Sequence, residues 1–180
     1  LLTFAAYWRN QNAINFIATR KQQIDLFESA AIGDTDLLKQ HLKEKPESIN
    51  DHSVDGFTPL GLACFFGHQK IVDFLVHQGA DTNLPSKNDF AVSPIHSACA
   101  ISNIRIAKLL LANGANVNAR QRSGITALHS AAHHGELELV KLLVESGADI
   151  NVKDENKQTP SFMAKEKGFA EVVNFLKNHK

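Results

Sequence analysis

A pattern that returns about every 33 residues constrains this chain more than any other feature, because short units in tandem bury their apolar faces only against their neighbours. The runs Thr58-Pro59-Leu60-Gly61, Ser93-Pro94-Ile95-His96, Thr126-Ala127-Leu128-His129 and Thr159-Pro160-Ser161-Phe162 start 35, 33 and 33 residues apart. A second marker keeps the same beat: Gly79-Ala80-Asp81, Gly114-Ala115-Asn116 and Gly147-Ala148-Asp149 are 35 and 33 residues apart. Both series place a two-residue insertion between Asn83 and Ser93. Between the markers run apolar pairs at helical spacing, such as Ile71-Val72 with Phe74-Leu75 and Leu139-Val140 with Leu142-Leu143, each predicting one face of a helix.

The local chemistry predicts a unit of helix, turn, helix and hairpin loop. Thr58, Ser93, Thr126 and Thr159 offer side-chain oxygens to the first free N–H groups of a helix, and three of them precede a proline suited to its first position. Gly67, Gly135 and Gly168 follow nine residues after these caps, where a left-handed residue ends a first short helix. A second helix then runs to Gly79, Gly114 or Gly147. Asp81-Thr82-Asn83, Asn116-Val117-Asn118 and Asp149-Ile150-Asn151 next turn the chain outward into a hairpin.

The template persists in worn form at both ends. Leu26, Ala30, Gly33, Leu37, Leu38 and Leu42 occupy its helix positions, but Gln40-His41 and Lys45-Pro46 depart from it, which predicts a first, capping repeat. Lys165 and Lys177 make the last repeat polar, as the end of a solenoid facing water should be.

Over about residues 24–180 the chain resembles the ankyrin-repeat family. The TPLH-like runs, the small pairs Ala63-Cys64, Ala98-Cys99 and Ala131-Ala132, the helix-ending glycines and the Gly-Ala-Asp/Asn markers carry the resemblance. It looks like the small single-domain ankyrin proteins common in bacteria. Departures are Gly61 and Phe162 for the family's His, Ser102 for its helix-ending Gly, Ser161 for its apolar residue, and the insertion after Asn83. The expected fold is all-α, an ankyrin-repeat solenoid with repeats at about 24–54, 55–89, 90–122, 123–155 and 156–180. Residues 1–23 do not fit the repeat. Their apolar spacing predicts one or two short helices around an Asn10–Asn12 turn, shielding the first repeat or, alternatively, lying in the concave groove.

Composition narrows the function. Nineteen Lys+Arg balance nineteen Asp+Glu, and 43% of the 180 residues are hydrophobic, which favours a packed core over disorder. A nucleic-acid partner is not expected, since phosphate binding needs a basic excess. No membrane partner is expected either, because the apolar opening Leu1–Trp8 falls far short of the roughly 20 residues that span a bilayer. Two cysteines with no CxxC spacing point to a reducing compartment, the cytoplasm, with secretion of a processed form left open.

Chemistry-bearing motifs are sparse. No GxSxG, HExxH or phosphate loop occurs, so no catalytic residue, metal or cofactor is expected. His96 with Cys99 has the i,i+3 spacing of a nucleophile–base pair, and His129, His133 and His134 share a predicted helix at a spacing open to zinc ligation. The repeat grammar accounts for His96 and His129 without either role. A Cys64–Cys99 disulfide is rejected, because equivalent helices stand about 10 Å apart. Asn118 and Asn151 follow a Leu by eight residues, a context resembling Asn hydroxylation sites of animal ankyrin domains.

The resemblance implies binding through the hairpin tips and the ends of the inner helices. Carried onto this sequence, that surface comprises Val54, Asp55, Phe57, Phe65, Phe66, Phe90, Val92, Ile101, Arg122, Ile125, His133, His134 and Gln158. Arg120, Arg122, Asp154 and Glu166 are expected to form a polar rim. The expected function is non-catalytic capture of another protein by a monomer through an apolar, Phe-rich groove. Two alternatives stay open: a recognition module cut from a larger protein, and a metal- or thiol-dependent enzyme.

Overall fold

The computed structural model describes residue 6, residues 11–19 and residues 23–179, with the Phe16 side chain left aside. Among the described residues eleven α-helices with given bounds follow one another: α1 (Gln11–Ala18), α2 (Leu26–Ile32), α3 (Thr35–Glu44), α4 (Pro59–Phe66), α5 (Gln69–His77), α6 (Pro94–Ala100), α7 (Ile104–Ala112), α8 (Ala127–His134), α9 (Leu137–Glu145), α10 (Pro160–Glu166) and α11 (Ala170–Asn178). A short 3-10 turn, Pro46–Asn50, follows α3. No strand occurs among the described residues. The even-numbered helices α2 to α10 form one layer, each packed on the next; α3, α5, α7, α9 and α11 form a second layer behind them.

Caps set the helix starts. Thr58 Oγ1 accepts the Gly61 N–H at 3.0 Å, and Thr159 Oγ1 accepts that of Phe162 at 3.2 Å. In the repeats with histidine three residues on, the ring returns the favour: the Ser93 N–H donates to His96 Nδ1 at 3.1 Å, and the Thr126 N–H to His129 Nδ1 at 3.2 Å. Asp25 and Glu28 build a capping box in the worn first repeat, a start that the helical pattern alone did not reveal.

Small residues decide the closeness of the inner layer. Ala63, Cys64, Ala98, Cys99, Ala131 and Ala132 are fully buried, so neighbouring inner helices pack through small side chains. The outer layer drops larger side chains behind them: Ile71, Leu75, Ile106, Leu110, Leu139, Leu143, Val172 and Leu176 complete one continuous core. Where the family's terminal glycine is replaced, Ser102 itself takes the left-handed conformation, at φ 55°.

Asparagines tie each repeat to the next. Asn83 Oδ1 accepts the Asn116 N–H at 2.7 Å while its Nδ2 donates to the Gly114 carbonyl at 2.9 Å. Asn118 does the same with the Asp149 N–H and the Gly147 carbonyl, at 2.8 and 3.0 Å. Asn50 accepts the Asp81 N–H at 2.9 Å. An amide that accepts and donates at once fixes spacing and direction together.

Candidate functional site

Four hairpin tips project beside the inner helices. Each is closed by a backbone hydrogen bond, from Ser53 N–H to Phe57, Ser86 to Val92, Gln121 to Ile125 and Asp154 to Gln158. Three of these pairs are four positions apart and the second is six, which places the two extra residues in the tip 86–92. The last tip residue before the closing partner is left-handed in every case: Gly56 at φ 81°, Ala91 at 51°, Gly124 at 77° and Lys157 at 63°. Neighbouring tips are joined as well, Lys87 N–H donating to the Gly56 carbonyl at 2.8 Å and Arg122 N–H to that of Phe90 at 3.1 Å.

The enlarged tip is braced from within. Buried Ser86 donates from Oγ to Asn88 Oδ1 at 2.8 Å and accepts the Val92 N–H at 2.8 Å, while the Phe90 N–H donates to Asn88 Oδ1 at 3.1 Å. This leaves Phe90 at the tip with 67% of its surface exposed. Below it lies a cavity of about 400 Å³ lined by Phe57, Phe65, Asn88, Phe90, Val92, His96, Ser97, Ala100 and Gln121. A second, of about 270 Å³, is lined by Ile125, His129, Ser130, His133, His134 and Met163.

The residues expected to bind a partner therefore divide. Phe57, Phe65, Phe90 and Val92 meet in the first cavity, and Ile125, His133 and His134 in the second. Val54 and Asp55 are exposed on the first tip. Arg122 reaches Asp89 at 3.3 Å between two tips, an exposed pair of little energetic weight. Gln158 is half-buried, and its carbonyl receives His129 Nε2–H at 3.0 Å. Phe66 points elsewhere: it packs against the core and lines a smaller cavity of about 180 Å³ with Ala6, Gln11, Ile14, Ala31, Ile32 and His68. There the helix α1 faces the ends of the first two inner helices. Ile101 approaches Gly67, where a Cβ would meet its Cδ1 at 3.2 Å.

Asp154 corrects the expected rim. It is buried, and its Oδ1 accepts the Gln158 N–H at 2.7 Å, so it organises the last tip instead of facing a partner. Arg120 likewise spends its guanidinium on the Lys153 carbonyl at 2.6 Å, whereas Glu166 is exposed.

Electrostatics give the histidines and cysteines separate characters. His96 donates from Nε2 to the Ala119 carbonyl at 2.9 Å while its Nδ1 accepts the Ser93 N–H, a pattern only the neutral ring can satisfy. Burial holds its pKa below the usual imidazole value, and burial does the same for His129. His133, exposed, is lowered by partial desolvation and by the nearby Lys167 and His134. The free thiols are both buried; burial pushes Cys99 up to about 12 and pushes Cys64 up further, with Cys99 adding to the effect. A thiolate nucleophile is thus strongly disfavoured at either position. Among the described residues no three His, Cys, Asp or Glu side chains converge as a metal site, and no helix is long and apolar enough to cross a membrane.

A stack of helix pairs with projecting, mutually bonded hairpins defines an ankyrin-type repeat protein. A family model of three ankyrin repeats matches residues 2–86, 26–121 and 83–154, and the chain belongs to the ankyrin-repeat family. Ankyrin repeats are generally protein–protein interaction modules, typically without catalytic activity. The chain is 36% identical over 109 residues to rat ankyrin repeat and SAM domain-containing protein 6, covering 59% of this chain and 12% of that protein. It is similar to the human DNA-binding protein RFXANK, 33% identical over 76 residues, 42% of this chain and 29% of that protein. It also resembles mouse RelA-associated inhibitor, 31% identical over 103 residues, 57% and 12% respectively. The chain thus spans less than a third of the length of each of these relatives.

Proposed function

We propose that this chain binds another protein through the concave face formed by the hairpin tips and inner helices of its second to fourth repeats. The observation that carries the reading is the open cavity walled by Phe57, Phe65, Phe90 and Val92, of which Phe57 also packs against the core while Phe65, Phe90 and Val92 lie outside it. A large exposed aromatic on a braced tip costs solvation and gains nothing in the folded monomer, which is the usual mark of an interaction surface. The backbone bonds that close each tip and join it to its neighbour keep this surface preformed, so little ordering entropy opposes binding.

The test compares capture of natural partners by the wild-type chain, by Phe65→Ala/Phe90→Ala and by Glu138→Lys on the outer helix α9. The double change is expected to abolish capture while leaving the helical circular dichroism intact, and Glu138→Lys to leave it unchanged. Loss with Glu138→Lys alone would place binding on the outer layer.

A further inference from the structure

The cavity beneath Phe90 differs from a plain apolar groove in one respect. Ser97, on α6, lines it with 1% of its surface exposed, and its Oγ has no hydrogen-bond partner. The equivalent hydroxyl two repeats earlier, Ser29 in the first unit, donates to the Asp25 carbonyl at 2.8 Å. A hydroxyl buried without a partner is unfavourable, so an unmade bond on the wall of an open cavity points to a ligand that completes it.

The remaining walls say which ligand. Phe57, Phe65 and Phe90 supply aromatic edges and faces, which favour another aromatic ring over an aliphatic chain. No charged residue lines the cavity, and His96 is held neutral there, so a charged side chain would be buried unpaired. A serine hydroxyl both donates and accepts, as does a phenol. Gln121 also lines the cavity, and its side-chain amide bonds no other described residue, whereas the Asn88 amide is already committed to Ser86, Phe90 and the Asp55 carbonyl. A free amide beside an aromatic slot suits the peptide group that carries the ring.

We infer that this cavity takes a tyrosine side chain from an exposed segment of a partner protein, its phenol hydroxyl paired with Ser97 Oγ and its adjoining peptide group with Gln121. The inference rests on the groove reading above and adds the chemistry of the anchor. Tyrosine fits the role because its two-torsion side chain brings a large contact area at small entropic cost.

Nuclear magnetic resonance titration of the full 180-residue chain with three probes tests it: N-acetyl-tyrosinamide, N-acetyl-phenylalaninamide and p-cresol. The tyrosine probe is expected to shift the amides of Ser97, Ala100 and Gln121, and to bind about fivefold more tightly than the phenylalanine probe, the ratio one hydrogen bond confers. Ser97→Ala should bring that ratio to about one, and Gln121→Ala should weaken both amide probes while sparing p-cresol. Phe90→Ala, at an exposed wall, should weaken all three. Equal affinity of the tyrosine and phenylalanine probes for the wild-type chain would overturn the tyrosine assignment and leave the groove reading standing. Binding of p-cresol without N-acetyl-tyrosinamide would overturn the peptide source in favour of a free phenol. Absence of shifts with every probe would overturn the cavity as an anchor site. The wild-type ratio decides the matter even if Ser97→Ala does not fold.

Discussion

Gly56→Ala isolates the contact between the first two hairpin tips. Gly56 sits at φ 81°, and an added Cβ would lie 2.8 Å from the backbone N of Asn88 and 3.1 Å from the carbonyl carbon of Lys87. Neither neighbour is a flexible side-chain end, so the second tip must move. Two contributions add. A left-handed alanine costs about 1–2 kcal/mol. The stiffer unfolded chain offsets about 0.4–1 of that, leaving about 1 kcal/mol. Overpacking against fixed backbone adds about 1–3 kcal/mol. The sum for Gly56→Ala is about 2–4 kcal/mol. Gly147 is the control, because it is equally left-handed at φ 89° with nothing within 4 Å of an added Cβ. Gly147→Ala should therefore cost only the conformational part, about 1 kcal/mol. Urea unfolding followed by circular dichroism reads both, with hydrogen exchange at the Lys87 amide, which bonds the Gly56 carbonyl, as a local reporter. Because Asn88 braces Phe90, Gly56→Ala should also weaken partner capture. Equal urea midpoints for the two variants, or an unchanged Lys87 exchange rate, would refute the reasoning.

Other expectations follow the same logic. His96 and His129 have pKa values lowered by burial, so between the unfolded value near 6.5 and the folded values the unfolded chain binds more protons. Their contribution is complete above about pH 6.5 and is lost as pH falls, by at most about 1.4 kcal/mol per histidine per pH unit. Unfolding midpoints measured from pH 7.5 to 5.5 should fall, and His129→Gln should make the slope shallower. Lys157→Gly relieves a left-handed side chain at φ 63° and should raise the unfolding free energy, read from urea denaturation, by up to about 1 kcal/mol, as should Ser102→Gly at φ 55°. Cys64 and Cys99 should resist iodoacetamide at neutral pH in the native protein and react once urea unfolds it, as mass spectrometry would show.

The repeat was legible because each of its signals is local. A cap, a proline, a small pair and a terminal glycine lie within ten residues of one another, and Thr58, Gly67 and Ala63-Cys64 take the positions their chemistry demands. The sequence also located the insertion to within ten residues. What it could not convey depends on how repeats face each other. Phe65 and Phe66 are adjacent in sequence, yet only Phe65 enters the large cavity, since a helix turns successive side chains about 100° apart. Asp154 reads as a surface charge, and only the tight last tip turns it inward onto the Gln158 N–H. Ser97 carries no sequence signal at all, because an unpaired hydroxyl is defined by partners that are missing in three dimensions.

The asparagine bridges between repeats also set the mechanics of the molecule. Asn50, Asn83 and Asn118 each reach only the following repeat, so tension applied along the stack passes through these links in series, as in a row of springs. Such a row is as compliant as the sum of its joints and yields one joint at a time. A partner lying across the second to fourth repeats would act as a splint in parallel with the middle joints, stiffening the centre and leaving extension to the ends.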